Sequence, residues 1–191
     1  MRKLFRIIIM MGFLLMLQTI GYAAPAVEGF AGIPWGTNRE QSQKLMAEKG
    51  FTSLGQADGF SDKYKGVFAG HPAELKLTYT KDVFYCGEAI IKDMPAPEIL
   101  WSMSDSFDDM KKLFVAKYGA ANAEYTLGEG ENLLGFGARW ENLAAADNPA
   151  GQAHIDIRGI KKRPQSDFWG IIITYNIGLS WATFKADGGN I

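Results

Sequence analysis

Residues 73–80 alternate strictly: Leu75, Leu77 and Tyr79 on one side, Lys76, Thr78 and Thr80 on the other. A period of two over this length predicts a half-buried strand. Lys81-Asp82 then forms a two-residue connection to a second strand over 83–91, so the pair is a predicted hairpin. A third strand is predicted over 64–69. Beyond it, Pro95 and Pro97 interrupt the pattern.

The period changes twice. Before the first strands, Thr37 and Glu40 match the S/T-x-x-E capping box, which predicts a helix from about Asn38 to Lys49. Gly50 supplies the left-handed stop. Only Leu45 and Met46 make an apolar face, so this helix should lie on a surface. The second helix should run from Ser102 or Ser104 to Lys117. Phe107, Met110, Leu113, Phe114 and Lys117 recur at spacings of three and four. Acids cluster at its start and lysines toward its end, as the helix dipole favours. Three more strands are predicted over 135–141, 153–160 and 168–176, with 142–151 as a long hairpin loop.

The predicted order is helix, three strands, helix, three strands. Runs of strands between isolated helices indicate an α+β class, with two helices packed on antiparallel sheet. The helix ends share a pattern, with Leu45 and Leu113 in equivalent places. An internal duplication with halves 30–92 and 98–178 would leave that signature.

The N-terminus has a different grammar. Arg2, Lys3 and Arg6 precede an apolar run over 7–17, and small residues follow in Gly21-Tyr22-Ala23-Ala24-Pro25-Ala26. This is the three-part layout of a secretory signal peptide. The run is shorter than the roughly 20 residues of a spanning helix. Cleavage is expected after Ala23, with Ala26 as a second option. The domain plan is then a signal peptide over 1–23, one α+β domain over 24–178 and a tail over 179–191. The expected destination is the periplasm or the extracellular space, with no stable membrane anchor after cleavage.

That division changes the charge. The leader carries three of the 20 Lys and Arg and none of the 21 acids, so net charge moves from −1 to −4. A mildly acidic domain whose only basic triplet is Lys161-Lys162-Arg163 is poorly suited to nucleic acid. Cys86 is the single cysteine, so no disulfide staples the domain. It reads as a small strand side chain rather than a nucleophile.

At Gly32-Ile33-Pro34-Trp35-Gly36-Thr37, followed by Glu40 and Leu45-Met46, the chain resembles small exported bacterial domains with a Gly-Ile-x-Trp-Gly-Ser/Thr helix start. More loosely, its plan resembles the BamE-type lipoprotein and the β-lactamase inhibitory protein. The resemblance implies helices on an antiparallel sheet. The chain lacks the lipid-bearing cysteine of the first and the disulfide cysteines of the second, so function is not carried over.

Chemistry is sparse. No G-x-S-x-G or phosphate-cradling motif occurs, and the only histidines are His71 and His154. His/Cys metal clusters are lacking, and no metal or cofactor is expected. The acidic loops Asp58–Asp62 and Glu129–Asn132 read as solvated turns. His154, Asp156 and Arg158 share one strand face, which is a wet sheet face or a recognition patch. Trp181 and Phe184 in the tail are the other candidate binding residues. These observations favour a non-enzymatic module that binds an envelope or extracellular protein. An extracellular enzyme inhibitor is the alternative, followed by a hydrolase using Glu88, Glu141 or Asp156.

Overall fold

The computed structural model describes residues 25–91, 100–128, 135–145, 148–160, 170–178, 182–183 and 187. The leader, Pro95, Pro97, Lys161–Arg163, Glu129–Asn132, Trp169, Trp181 and Phe184 lie outside those residues. Two short strands, β1 (Gly29–Phe30) and β2 (Ile33–Pro34), open the described chain. Helix α1 (Arg39–Glu48) follows, then β3 (Thr52–Asp58), β4 (Ser61–Phe68), β5 (His71–Thr80) and β6 (Val83–Ile91). The second half repeats the order: α2 (Leu100–Tyr118), β7 (Ala123–Leu127), β8 (Gly135–Ala145), β9 (Asn148–Ile160) and β10 (Gly170–Asn176).

The eight longer strands form one sheet in the order β3-β4-β5-β6-β10-β9-β8-β7, antiparallel throughout. This is the α+β class the periodicities predict. The order is the same from either edge, with one four-stranded meander per half and β6 beside β10 at the centre. Met46 in α1 and Phe114 in α2 stand at the offset that relates Leu45 to Leu113, and both are buried.

Each half has four strands rather than three. The extra strands, β3 and β7, lie at the two edges. Every residue of β3 is exposed, so no alternation marks it in the sequence. The expected loop over 142–151 is also corrected. β8 continues to Ala145 and β9 begins at Asn148, with a bulge at Asn142, whose φ is 58°. The hairpin at Lys81-Asp82 forms as expected, and both residues have positive φ, the backbone of a primed turn that matches strand twist.

Both helices lie on one face of the sheet. Their buried residues share one core with Leu75, Leu77, Ala89, Ile155, Ile157, Ile171 and Ile173 from the strands. The α2 stripe is Phe107, Met110, Phe114 and Tyr118. Leu113, expected in it, is 55 % exposed. The α1 cap also differs from the capping box. Asn38 Oδ1 accepts from Gln41 N–H at 2.8 Å, while Thr37 Oγ1 donates to the Pro34 carbonyl at 2.7 Å. Asparagine is as good an N-cap as threonine, and the turn through Pro34 has already engaged the Thr37 hydroxyl.

Residues 27–36 cross this helix-bearing face between the two halves. Val27 N–H donates to the Ala144 carbonyl at 2.7 Å. Phe30 stacks on Phe68 at 5.2 Å and meets Tyr175 at 5.4 Å. Its ring lies over Gly87, where a Cβ would come within 2.2 Å. Trp35 stacks on Phe84 at 5.1 Å and donates from Nε1 to the Val27 carbonyl at 2.8 Å. It therefore locks the N-terminal segment to β6. Beneath α1, buried Asp62 accepts from Arg39 Nε and Nη and from Gln43 Nε2, at 2.8–3.2 Å. That clip ties helix to sheet.

Candidate functional site on the helix-free sheet face

Alternation sends every second strand residue away from the helices. Strand register then assembles a polar row across six strands: Arg139, Asp156, Thr174, Glu88, Lys76 and Lys63, each opposite the next. His154 and Arg158 flank Asp156 on β9. The three residues singled out on that strand thus share the helix-free face.

Asp156 is the hub. Its Oδ1 accepts from the Tyr125 hydroxyl at 2.6 Å, and its Oδ2 accepts from Arg139 Nε and Nη2 at 3.2 and 3.0 Å. Arg158 Nε approaches Oδ1 at 3.9 Å, an ion pair too long for a hydrogen bond. Arg139 also reaches Glu141 at 3.5 Å. The Asp156 hydrogen bond raises the Arg139 guanidinium above its ordinary pKa. Burial, and then the bond to Asp156, pushes the Tyr125 phenol up to about 12. Tyr125 reaches Asp156 from two strands away because Gly137, between them, has no side chain. A Cβ there would come within 2.2 Å of the ring.

A depression of about 340 Å³ opens beside this hub, lined by Arg139, Glu141, His154, Asp156, Thr174 and Asn176. Two sheltered polar atoms on the face, Arg158 Nε and Thr174 Oγ1, have no hydrogen-bond partner among the described residues. Buried donors and hydroxyls seldom stay unmet. Larger hollows of about 460, 440 and 420 Å³ occur elsewhere. The first gathers Lys65 and Glu74 among glycine and aliphatic groups. The second lies between α2 and β7, where Lys111 pairs with Glu124 at 2.9 Å. The third lies between residues 25–34 and Phe68, Lys117, Tyr118 and Tyr175.

The carboxylates expected for a hydrolase are only partly brought together. Asp156 and Glu141 line one depression, but Arg139 lies between them as a shared counter-ion. A proton-sharing acid pair needs the opposite arrangement. Glu88 is two strands from Asp156, beyond Thr174. The fold also does what local sequence could not, placing Cys86, Asn176 and His154 in one transverse row. Cysteine and histidine are then two strand spacings apart, about 10 Å. Burial, followed by the Glu88 charge, pushes the Cys86 thiol up to about 11. The row has the residue types of thiol catalysis without its contact distance or its thiolate.

Sequence reasoning missed Tyr125 and Arg139. Tyr125 sits on an edge strand with weak patterning, and Arg139 gains its partner only through β8–β9 register. Gly137, in a glycine-rich stretch, was the available signal for a close approach. No helix among the described residues is long and apolar enough to cross a membrane. Comparison with protein-family models, curated proteins and solved structures finds no match for this chain.

Proposed function

We propose that this chain is an exported, non-enzymatic module that binds a protein of the envelope or extracellular space on its helix-free sheet face. The observation that carries the reading is the Asp156 hub and the depression beside it. Export rests on the leader grammar of residues 1–23. Arg139 and Arg158 are 45 % and 36 % exposed, while Asp156 is 20 % exposed. The outer layer of the patch therefore presents the donors of Arg139 and Arg158 beside the Glu141 carboxylate, which is 43 % exposed. A partner segment bearing carboxylates or free backbone carbonyls complements it.

Site-specific photo-crosslinking tests this. A crosslinker at position 154 should capture one partner from envelope or culture fractions, and one at exposed position 113 on α2 should not. Arg158→Glu should abolish capture while leaving the circular dichroism spectrum intact. Capture that is equal from both faces, or unaffected by Arg158→Glu, contradicts the reading. If the captured partner is an enzyme inhibited on binding, the module is an inhibitor.

A further inference from the structure

The depression beside Asp156 spans only β8, β10 and β9 between them. At strand spacings that is about 10 Å across the strands and roughly 7–13 Å along them, a footprint on the order of 100 Å². A stable protein–protein interface covers about 800 Å² on each partner. A protein held at the Asp156 hub must therefore extend well beyond it along the sheet. We infer that its footprint runs across the sheet to a second anchor site, the hollow of about 460 Å³ between β3 and β6, and that this hollow takes one apolar side chain. The inference rests on the docking reading above. It commits the partner to one chemistry: a protein surface carrying an apolar side chain about 15–20 Å from a carboxylate.

Register joins the two places. One row beyond Asp156 on the helix-free face, Thr52, Lys65, Glu74, Ile90, Ile172 and Arg158 stand opposite one another in turn. The first four line the hollow, and the last belongs to the hub. Glu74 and Lys65 are three and four strand spacings from Arg158, about 14 and 19 Å. The chemistry of the hollow differs from that of the hub. Lys65 and Glu74 face each other across β4 and β5, so their charges balance and no net charge selects an ion. Val67 is 63 % exposed and stands opposite exposed Pro72, with half-buried Ile90 beyond them. An apolar wall with a balanced polar rim suits an anchoring side chain of a partner. Arg158, 36 % exposed at the other end of the row, suits a carboxylate.

Photo-crosslinkers at positions 67 and 154 of the full chain, expressed in an export-competent bacterial host, test the inference. Both should capture the same protein. Mass spectrometry should join position 67 to an apolar surface residue, and position 154 to a site about 15–20 Å away on that protein. With the captured protein purified, Val67→Glu should weaken binding about tenfold or more, since it forces a charge into an apolar contact. Val115→Glu, on α2 at a position 40 % exposed, should change binding less than about twofold. An unchanged melting point of Val67→Glu separates a lost contact from a lost fold, and the crosslink at 67 stands without any such variant. Capture from 154 alone, or full affinity in a folded Val67→Glu protein, overturns the second anchor site and leaves the docking reading standing. Absence of any specific capture from 154 overturns the docking reading and the inference with it.

Discussion

The Tyr125 hydroxyl donates to Asp156 Oδ1 at 2.6 Å across an intervening strand, because Gly137 leaves room for the ring. The contact joins edge strand β7 to β9 and sets the shape of the candidate patch. Gly137→Ala should push the ring off its seat and break this bond. Loss of about 1 kcal/mol of stability is expected, the net worth of one hydrogen bond. Urea unfolding, together with a change in tyrosine near-ultraviolet dichroism, checks it.

The same phenol makes stability depend on alkaline pH. Its folded value, about 12, lies above the unfolded value near 10. Its contribution is therefore complete below pH 10 and is lost as pH rises through 12. Tyr64, also raised to about 12 by burial, acts in the same direction. Denaturation midpoints should fall across this window, and Tyr125→Phe should make the fall shallower.

Asp62, buried at the sheet edge of α1, depends on Arg39 for its counter-charge. Arg39→Met leaves the carboxylate with Gln43 alone. Breaking a buried pair on one side should destabilise by about 3 kcal/mol. Arg39→Met combined with Asp62→Leu should recover much of that loss, as measured by thermal unfolding.

Phe30 and Gly87 are complementary in shape at the centre of the molecule. Phe30→Ala should cost about 3–5 kcal/mol through the cavity it leaves. Gly87→Ala should cost about 1–3 kcal/mol by overpacking. The double variant should be more stable than the sum of the two predicts, because the new methyl enters the vacated space. Chemical denaturation of the four proteins closes the cycle.

Cys86 is the thiol to test for reactivity. With its pKa raised to about 11, its thiolate population at pH 8 is on the order of 100-fold below that of an unperturbed cysteine. Alkylation by iodoacetamide should be slowed on that scale in the folded protein and regain the ordinary rate in denaturant. A fast folded-state reaction would reopen thiol chemistry in the Cys86–Asn176–His154 row.

The elements legible in advance were those with one buried side. The alternations over 73–80 and 153–160 and the spacing of Phe107, Met110 and Phe114 all mark a single apolar face. β3 and β7 escaped because edge strands with solvent on most sides carry no such mark. Leu113 was misplaced because spacings of three and four admit neighbouring stripes, and only contact with the sheet selects among them. His154, Asp156 and Arg158 could be placed on a common face from period alone.

Local chain chemistry was enough to predict the α+β class and the hairpin at Lys81-Asp82, and it is the whole basis of the expected leader, since each depends on residues close in sequence. Pairing of β6 with β10, the Asp156 hub and the burial of Val27 were decided by the tertiary structure. Each joins groups tens of residues apart or more, through strand register and side-chain packing. Spacing within a segment carries no information about which distant strand will lie beside it.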